Sequence, residues 1–128
     1  MSARLALAIL LLAGTMVSGA APHRVYVVSW GQGGDVSPEG RSLIAQADRQ
    51  LRDELRRRGA SVLEGQPGAA AIVLKPRLEV FPRAMELQLV GVRDQKLLGS
   101  ISMKAAGSNR EAQLRALVSR ACAEADRL

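Results

Sequence analysis

The chain predicts an α/β fold of order β-α-β-β-β-β-α, a mixed and mostly antiparallel sheet with two amphipathic helices packed on one face. Three patterns predict it. A continuous apolar run around Val25-Tyr26-Val27-Val28 precedes a segment, 38–58, with apolar residues every three or four positions. Runs of alternating apolar and polar residues follow between 69 and 104, separated by short turn sequences. A second helical period then closes the chain.

The first strand, Arg24 to Trp30, is β-branched and aromatic, and its unbroken apolar middle fits a central strand buried on both faces. Gly31-Gln32-Gly33-Gly34-Asp35 is a loop. Ser37-Pro38 opens a helix, with Ser as N-cap and Pro at the first helical position. Glu39 complements the helix dipole in the first turn. Leu43, Ile44, Ala47, Leu51 and Leu55 make one apolar stripe. Asp48–Arg52, Asp53–Arg57 and Glu54–Arg58 are acid-first pairs four residues apart. Gly59 is the expected C-terminal cap after Arg56-Arg57-Arg58.

Ala60-Ser61-Val62-Leu63 is a short second strand, so the opening unit is a right-handed βαβ crossover. Gly65-Gln66-Pro67-Gly68 is a turn. The third strand runs from Ala69 to Lys75. Pro76 either ends it or places its continuation to Phe81 on an edge, because proline donates no ladder bond. Met85, Leu87 and Leu89 alternate with Glu86 and Gln88. Arg93-Asp94-Gln95-Lys96 is a hairpin turn. In the returning strand Leu97, Gly99, Ile101 and Met103 alternate with Leu98, Ser100, Ser102 and Lys104. Glu86, Gln88, Ser100, Ser102 and Lys104 mark a sheet face that is at least partly wet. Ser108 to Glu111 has capping-box spacing before a final helix with the stripe Leu114, Leu117, Val118, Ala121 and Ala125. Cys122 falls at the edge of that packed face.

The amino-terminal segment sets the compartment. Arg4 precedes an apolar run, Leu5 to Ala13, and a small-residue site, Ser18-Gly19-Ala20. That is the order of a secretory signal peptide cleaved between Ala20 and Ala21, which makes the protein periplasmic and leaves 21–128 as one domain. The rival is an uncleaved inner-membrane anchor. Gly14, Thr15, Ser18 and Gly19 dilute the span that a crossing helix of about 20 apolar residues requires. No cysteine follows the apolar run, so the leader is not a lipoprotein signal, and the processed chain is expected not to span a membrane.

Composition narrows the chemistry. The formal charge is +6, or +5 once Arg4 is removed, and the basic residues are almost all arginine. An anionic surface is thus one conceivable partner. Cys122 is the single cysteine and His23 the single histidine, so no spacing fits a metal site, and a histidine-based acid–base site would rest on a residue beside the cleavage point. With one Trp, one Tyr and one Phe, stacking platforms for single-stranded nucleic acid are lacking. No cofactor, no nucleic acid and no catalysis are expected. Glu79 and Glu86 face each other across two strands, with Arg77 and Arg83 nearby, as a surface charge cluster. The glycine-rich loop lacks the sixth-position Gly of the dinucleotide fingerprint, where Val36 stands, and the Lys-Ser/Thr of a phosphate loop. It reads as a connector or partner-binding loop, with Trp30, Gly31, Gly33, Gly34 and Asp35 as candidate binding residues.

The run Val25-Tyr26-Val27-Val28, the helix end Leu51-Arg52-Asp53-Glu54-Leu55-Arg56-Arg57-Arg58-Gly59, the strand Ala60 to Leu63, the segment Ala69 to Leu74, a hairpin and a closing helix together resemble small bacterial envelope α/β domains. These are the TolB amino-terminal domain and the CsgG-like and LpoB-like accessory proteins. Ala71 departs from the Asp or Tyr common there, and the lipoprotein cysteine of several relatives is missing. The resemblance implies a non-enzymatic scaffolding or regulatory role in the envelope and carries no site residues over.

Two functions follow as expectations. One is an accessory domain that binds an envelope or secretion-system protein, for instance by strand addition at an open sheet edge. The other is a binder of a small ligand or an anionic polymer, such as a lipid headgroup or wall glycan, through the glycine-rich loop and the basic helix ends.

Overall fold

The computed structural model describes residues 24–31, 37–66 and 68–128. The leader, His23 and the loop residues Gly33, Gly34 and Asp35 lie outside the described residues. The elements are β1 (Val25–Val28), α1 (Pro38–Arg57), β2 (Ser61–Leu63), β3 (Ile72–Phe81), β4 (Ala84–Arg93), β5 (Lys96–Ala106) and α2 (Arg110–Ala125). This is the predicted order. The sheet order is β2-β1-β3-β4-β5, with β1 parallel to β2 and β3, and β3, β4 and β5 antiparallel in turn.

Both helices lie on one face of the sheet. α1 contacts β2 and β3, α2 contacts β4 and β5, and the helices pack against each other. Leu43, Ala47, Leu51 and Leu55 of α1 meet Tyr26, Leu74 and Leu78 in the same core as Leu114, Leu117, Ala121 and Cys122 of α2. Ser37 caps α1 as predicted, its Oγ accepting from the Gly40 N–H at 3.0 Å. The ion pairs of α1 differ in one detail. Asp48–Arg52 and Glu54–Arg58 form, but Asp53 pairs with Arg56 and Glu54 also takes Arg57.

Pro76 does not end β3, and the reason is geometric. Ser29 N–H donates to the Leu74 carbonyl, so Leu74 turns its main-chain groups toward β1. Two residues on, Pro76 turns the same way, but β1 is paired only as far as Leu74. The missing donor therefore falls where no strand needs it, and β3 continues to Phe81 against β4.

Two local expectations need correction. The cap of α2 is Asn109, whose Oδ1 accepts from the Ala112 N–H at 3.1 Å, and not Ser108. Asn and Ser are comparable caps, and the Gln113 side-chain amide donates to the Gly107 carbonyl just ahead of this start, at 2.6 Å. The alternation in β5 also breaks. A bulge at Gly91/Val92 sets Val92 opposite Leu97, while Val90 stands opposite Ser100. Leu97 is thereby turned to the wet face and Leu98 toward the core, the reverse of strict alternation. The bulge sits where Leu128 lies against Gly91 and Gly99, close enough that a Cβ at either would collide with it.

Candidate functional site

The face of the sheet away from the helices is divided in two. At one end, paired positions carry Arg77–Gln88–Ser102 and Glu79–Glu86–Lys104. These are largely satisfied among themselves. Arg77 pairs with Glu79 at 2.9 Å, Ser102 Oγ donates to Glu86 at 2.6 Å, and the Lys104 ammonium sits 5.8 Å from the Phe81 ring centre. The predicted Glu79–Glu86 juxtaposition is thus present as a charge cluster. At the other end the register aligns Leu63, Val27, Val73, Val92 and Leu97 in one row across all five strands. Leu63 is 42% and Leu97 66% exposed.

A cavity of about 730 Å³ lies over this row. Val73, Val92 and Leu97 line its floor, Gly68, Ala69 and Ala71 one wall, and Asp94 and Gln95 another, with Lys75 two residues beyond Val73 on the same face. The Asp94-Gln95 turn joins β4 to β5, and both residues adopt the left-handed conformation, at φ 51° and 64°. Two such residues in succession make the tight hairpin that matches strand twist, although neither is glycine.

The outer edge of the sheet is β5, eleven residues long. Gly107 N–H donates to the Arg83 carbonyl, which fixes the phase of the β4–β5 ladder. Ile101, Met103 and Ala105 bond inward, and Ser100, Ser102, Lys104 and Ala106 turn their main-chain groups outward. Arg120 meets the outward carbonyl of Lys104 at 3.4 Å. Among the described residues no strand covers the rest of this edge.

The loop proposed from sequence is described only at its start. Trp30 packs against the core, and its Nε1–H donates to Asp48 at 3.0 Å. Arg52 holds the same carboxylate at 2.9 Å and extends to Glu64 and the Val28 carbonyl. Trp30 is therefore engaged with α1. Gly31 is exposed, and a Cβ there would meet nothing. The arginine run at the end of α1 is matched by acids. Arg56 pairs with Asp53, Arg57 with Glu54, and Arg58 with Glu54 and Asp126.

Cys122 is wholly buried, deeper than the edge position expected. Burial pushes its thiol up to about 12, with the Glu54 charge adding to the effect. Tyr26 donates to the Ala125 carbonyl at 3.3 Å, and burial raises its hydroxyl as well. Among the described residues no group of three or more His, Cys, Asp or Glu is placed to hold a metal, and no helix is long and apolar enough to cross a membrane.

No family model matches the chain, and no curated protein matches it significantly. Solved structures do. The PelC dodecamer from Paraburkholderia phytofirmans is 16% identical, with a TM-score of 0.56, covering 80% of this chain and 91% of that one. A PelC variant from the same organism, in another crystal form, gives the same score and identity over 77% and 82%. Protein XCC0632 from Xanthomonas campestris is 15% identical at a TM-score of 0.43, over 83% and 80%. These are small bacterial α/β proteins, as the sequence pattern implied, but they are not of the TolB, CsgG-like or LpoB-like families. The likeness to PelC is one of fold.

Proposed function

We propose that this chain is an exported, non-catalytic accessory domain of a cell-envelope or secretion assembly, and that it binds its protein partner by strand addition to β5. The observation that carries this reading is the β5 edge. Four successive outward positions, Ser100, Ser102, Lys104 and Ala106, offer main-chain donors and, apart from the Lys104 carbonyl that Arg120 meets, acceptors. Three of the four side chains there are small, so a partner strand can approach closely. Edges without a partner are usually blunted by charge, proline or shortness, and Lys96 and Lys104 are the only charges on this one. The leader supports export. In support from fold, PelC is a dodecamer, so a similar fold makes protein–protein contacts there. Ion pairs or core packing occupy most titratable groups described, which supports a binding role over a chemical one.

Proline at Ser102 tests this reading. The Ser102 N–H points outward, so proline removes a docking donor without removing a β4–β5 bond. The Ser102→Ala variant controls for the lost hydroxyl bond to Glu86. In periplasmic crosslinking with tagged protein, Ser102→Ala should retain a stoichiometric envelope partner and Ser102→Pro should lose it. Equal capture by both variants, or capture of nothing specific at physiological salt, contradicts the reading.

A further inference from the structure

We propose that the strand which adds to β5 is acidic, with one carboxylate beside Lys104 on the wet face and another beside Arg120 on the helix side. This rests on the strand-addition reading and names the chemistry of its partner. From Lys96 through β5 to Asn109 the chain holds no acid. Two cations stand at the open stretch of the edge. Lys104 lies on the wet face, in the row of Glu79 and Glu86. Glu86 does not pair with it. That carboxylate accepts from the Ser102 hydroxyl at 2.6 Å, and the ammonium rests over the Phe81 ring. Arg120 reaches the edge from α2, and its guanidinium meets the Lys104 carbonyl at 3.4 Å. Neither cation forms an ion pair among the described residues, whereas the arginines at the end of α1 are all paired.

Strand geometry places the two acids. A residue opposite Lys104 sends its side chain to the wet face, with the two Cβ atoms about 5 Å apart. Its chain neighbours send theirs to the helix side, where Arg120 lies. Ile101 and Ala105 are half-buried on that side, so apolar side chains suit the other helix-side positions. The Lys104 carbonyl turns outward and has to take an N–H of the added strand, so Arg120 must give it up. A carboxylate on the added strand receives the displaced guanidinium in a charge-assisted bond, stronger than the neutral one it replaces. The two acids therefore lie an odd number of residues apart in the partner. The same cations disfavour a second copy of this chain. A two-fold β5–β5 pairing is isologous and sets Lys104 and Arg120 of one copy against the same residues of the other.

The test is carbodiimide crosslinking of the tagged mature domain in periplasmic extract, which joins a lysine amine to a carboxylate in contact with it, followed by mass spectrometry. The expected product is an amide between Lys104 and an Asp or Glu of the partner, retained by Ser102→Ala and lost by Ser102→Pro. In capture without crosslinker, Lys104→Gln and Arg120→Gln should each weaken binding several-fold, and together about tenfold or more. Arg120→Lys should keep part of the binding, and capture should fall as salt rises above about 0.15 M. Arg115→Gln removes an exposed arginine from the side of α2 toward α1 and should leave capture unchanged, which controls for net charge. If Ser102→Pro abolishes capture while the Lys104→Gln, Arg120→Gln and double variants capture as the parent does, strand addition stands and the acidic partner is overturned. Capture that survives Ser102→Pro overturns both. A concentration-dependent dimer of the pure domain in ultracentrifugation that Ser102→Pro abolishes also overturns the acidic partner, by giving the edge to a second copy.

Discussion

At Gln95 the backbone adopts a conformation that the residue type disfavours. A left-handed L-residue costs about 1–2 kcal/mol, and glycine avoids most of that cost. Gln95→Gly, which makes the favoured Asp-Gly hairpin turn, should raise stability by about 0.5–1 kcal/mol in urea denaturation. A decrease would show that the Gln95 side chain makes contacts worth more than the strain. Cys122 gives a pH prediction. Its thiol titrates near 9.0 ordinarily and near 12 in the fold, so the folded chain keeps a proton that the unfolded chain loses. Stability is thus full below pH 9 and falls as pH rises toward 12, with a slope approaching 1.4 kcal/mol per pH unit, as an order of magnitude. Tyr26 acts in the same direction from about pH 10. Cys122→Ala should remove the part of the fall that begins near pH 9 and leave the later part. A wild-type midpoint constant from pH 8 to 10 would contradict the burial argument.

At the scale of elements, the chain announces α1 completely. Ser37 and Pro38 start it, one stripe buries it, and three arginines and Gly59 end it. Leu55 is fully buried under that stripe, and Leu55→Ala should cost about 2–5 kcal/mol by thermal or urea unfolding. A cost below 1 kcal/mol would mean that α1 packs loosely. The hairpin strands were legible by alternation, yet the faces of Leu97 and Leu98 were not. A bulge changes phase by one residue, and two-residue periodicity carries no mark of it. Asn109 and Ser108 are two comparable caps side by side, and residue type alone does not choose between them. Pro76 was legible as an ambiguity, and only the length of β1 resolves it.

At the scale of the molecule, the order of elements and the one-sided helix layer follow from periodicity alone. The proposed strand-addition edge and the apolar row do not, because each is made by register. The apolar row takes one residue from each of five strands, and no single strand looks unusual for carrying it. The glycine-rich loop drew attention because local composition is visible in sequence, whereas the β5 edge becomes visible only once strand order is known. The claim on which the function rests is that this edge is open until a partner pairs with it. Backbone amide exchange tests it most directly, in the mature domain alone and in complex with the crosslinked partner. Ser100, Ser102, Lys104 and Ala106 should exchange rapidly in the free domain and become protected in the complex, while Ile101, Met103 and Ala105 stay protected in both. Slow exchange at those four amides in the free domain, or no change on complex formation, would contradict the account.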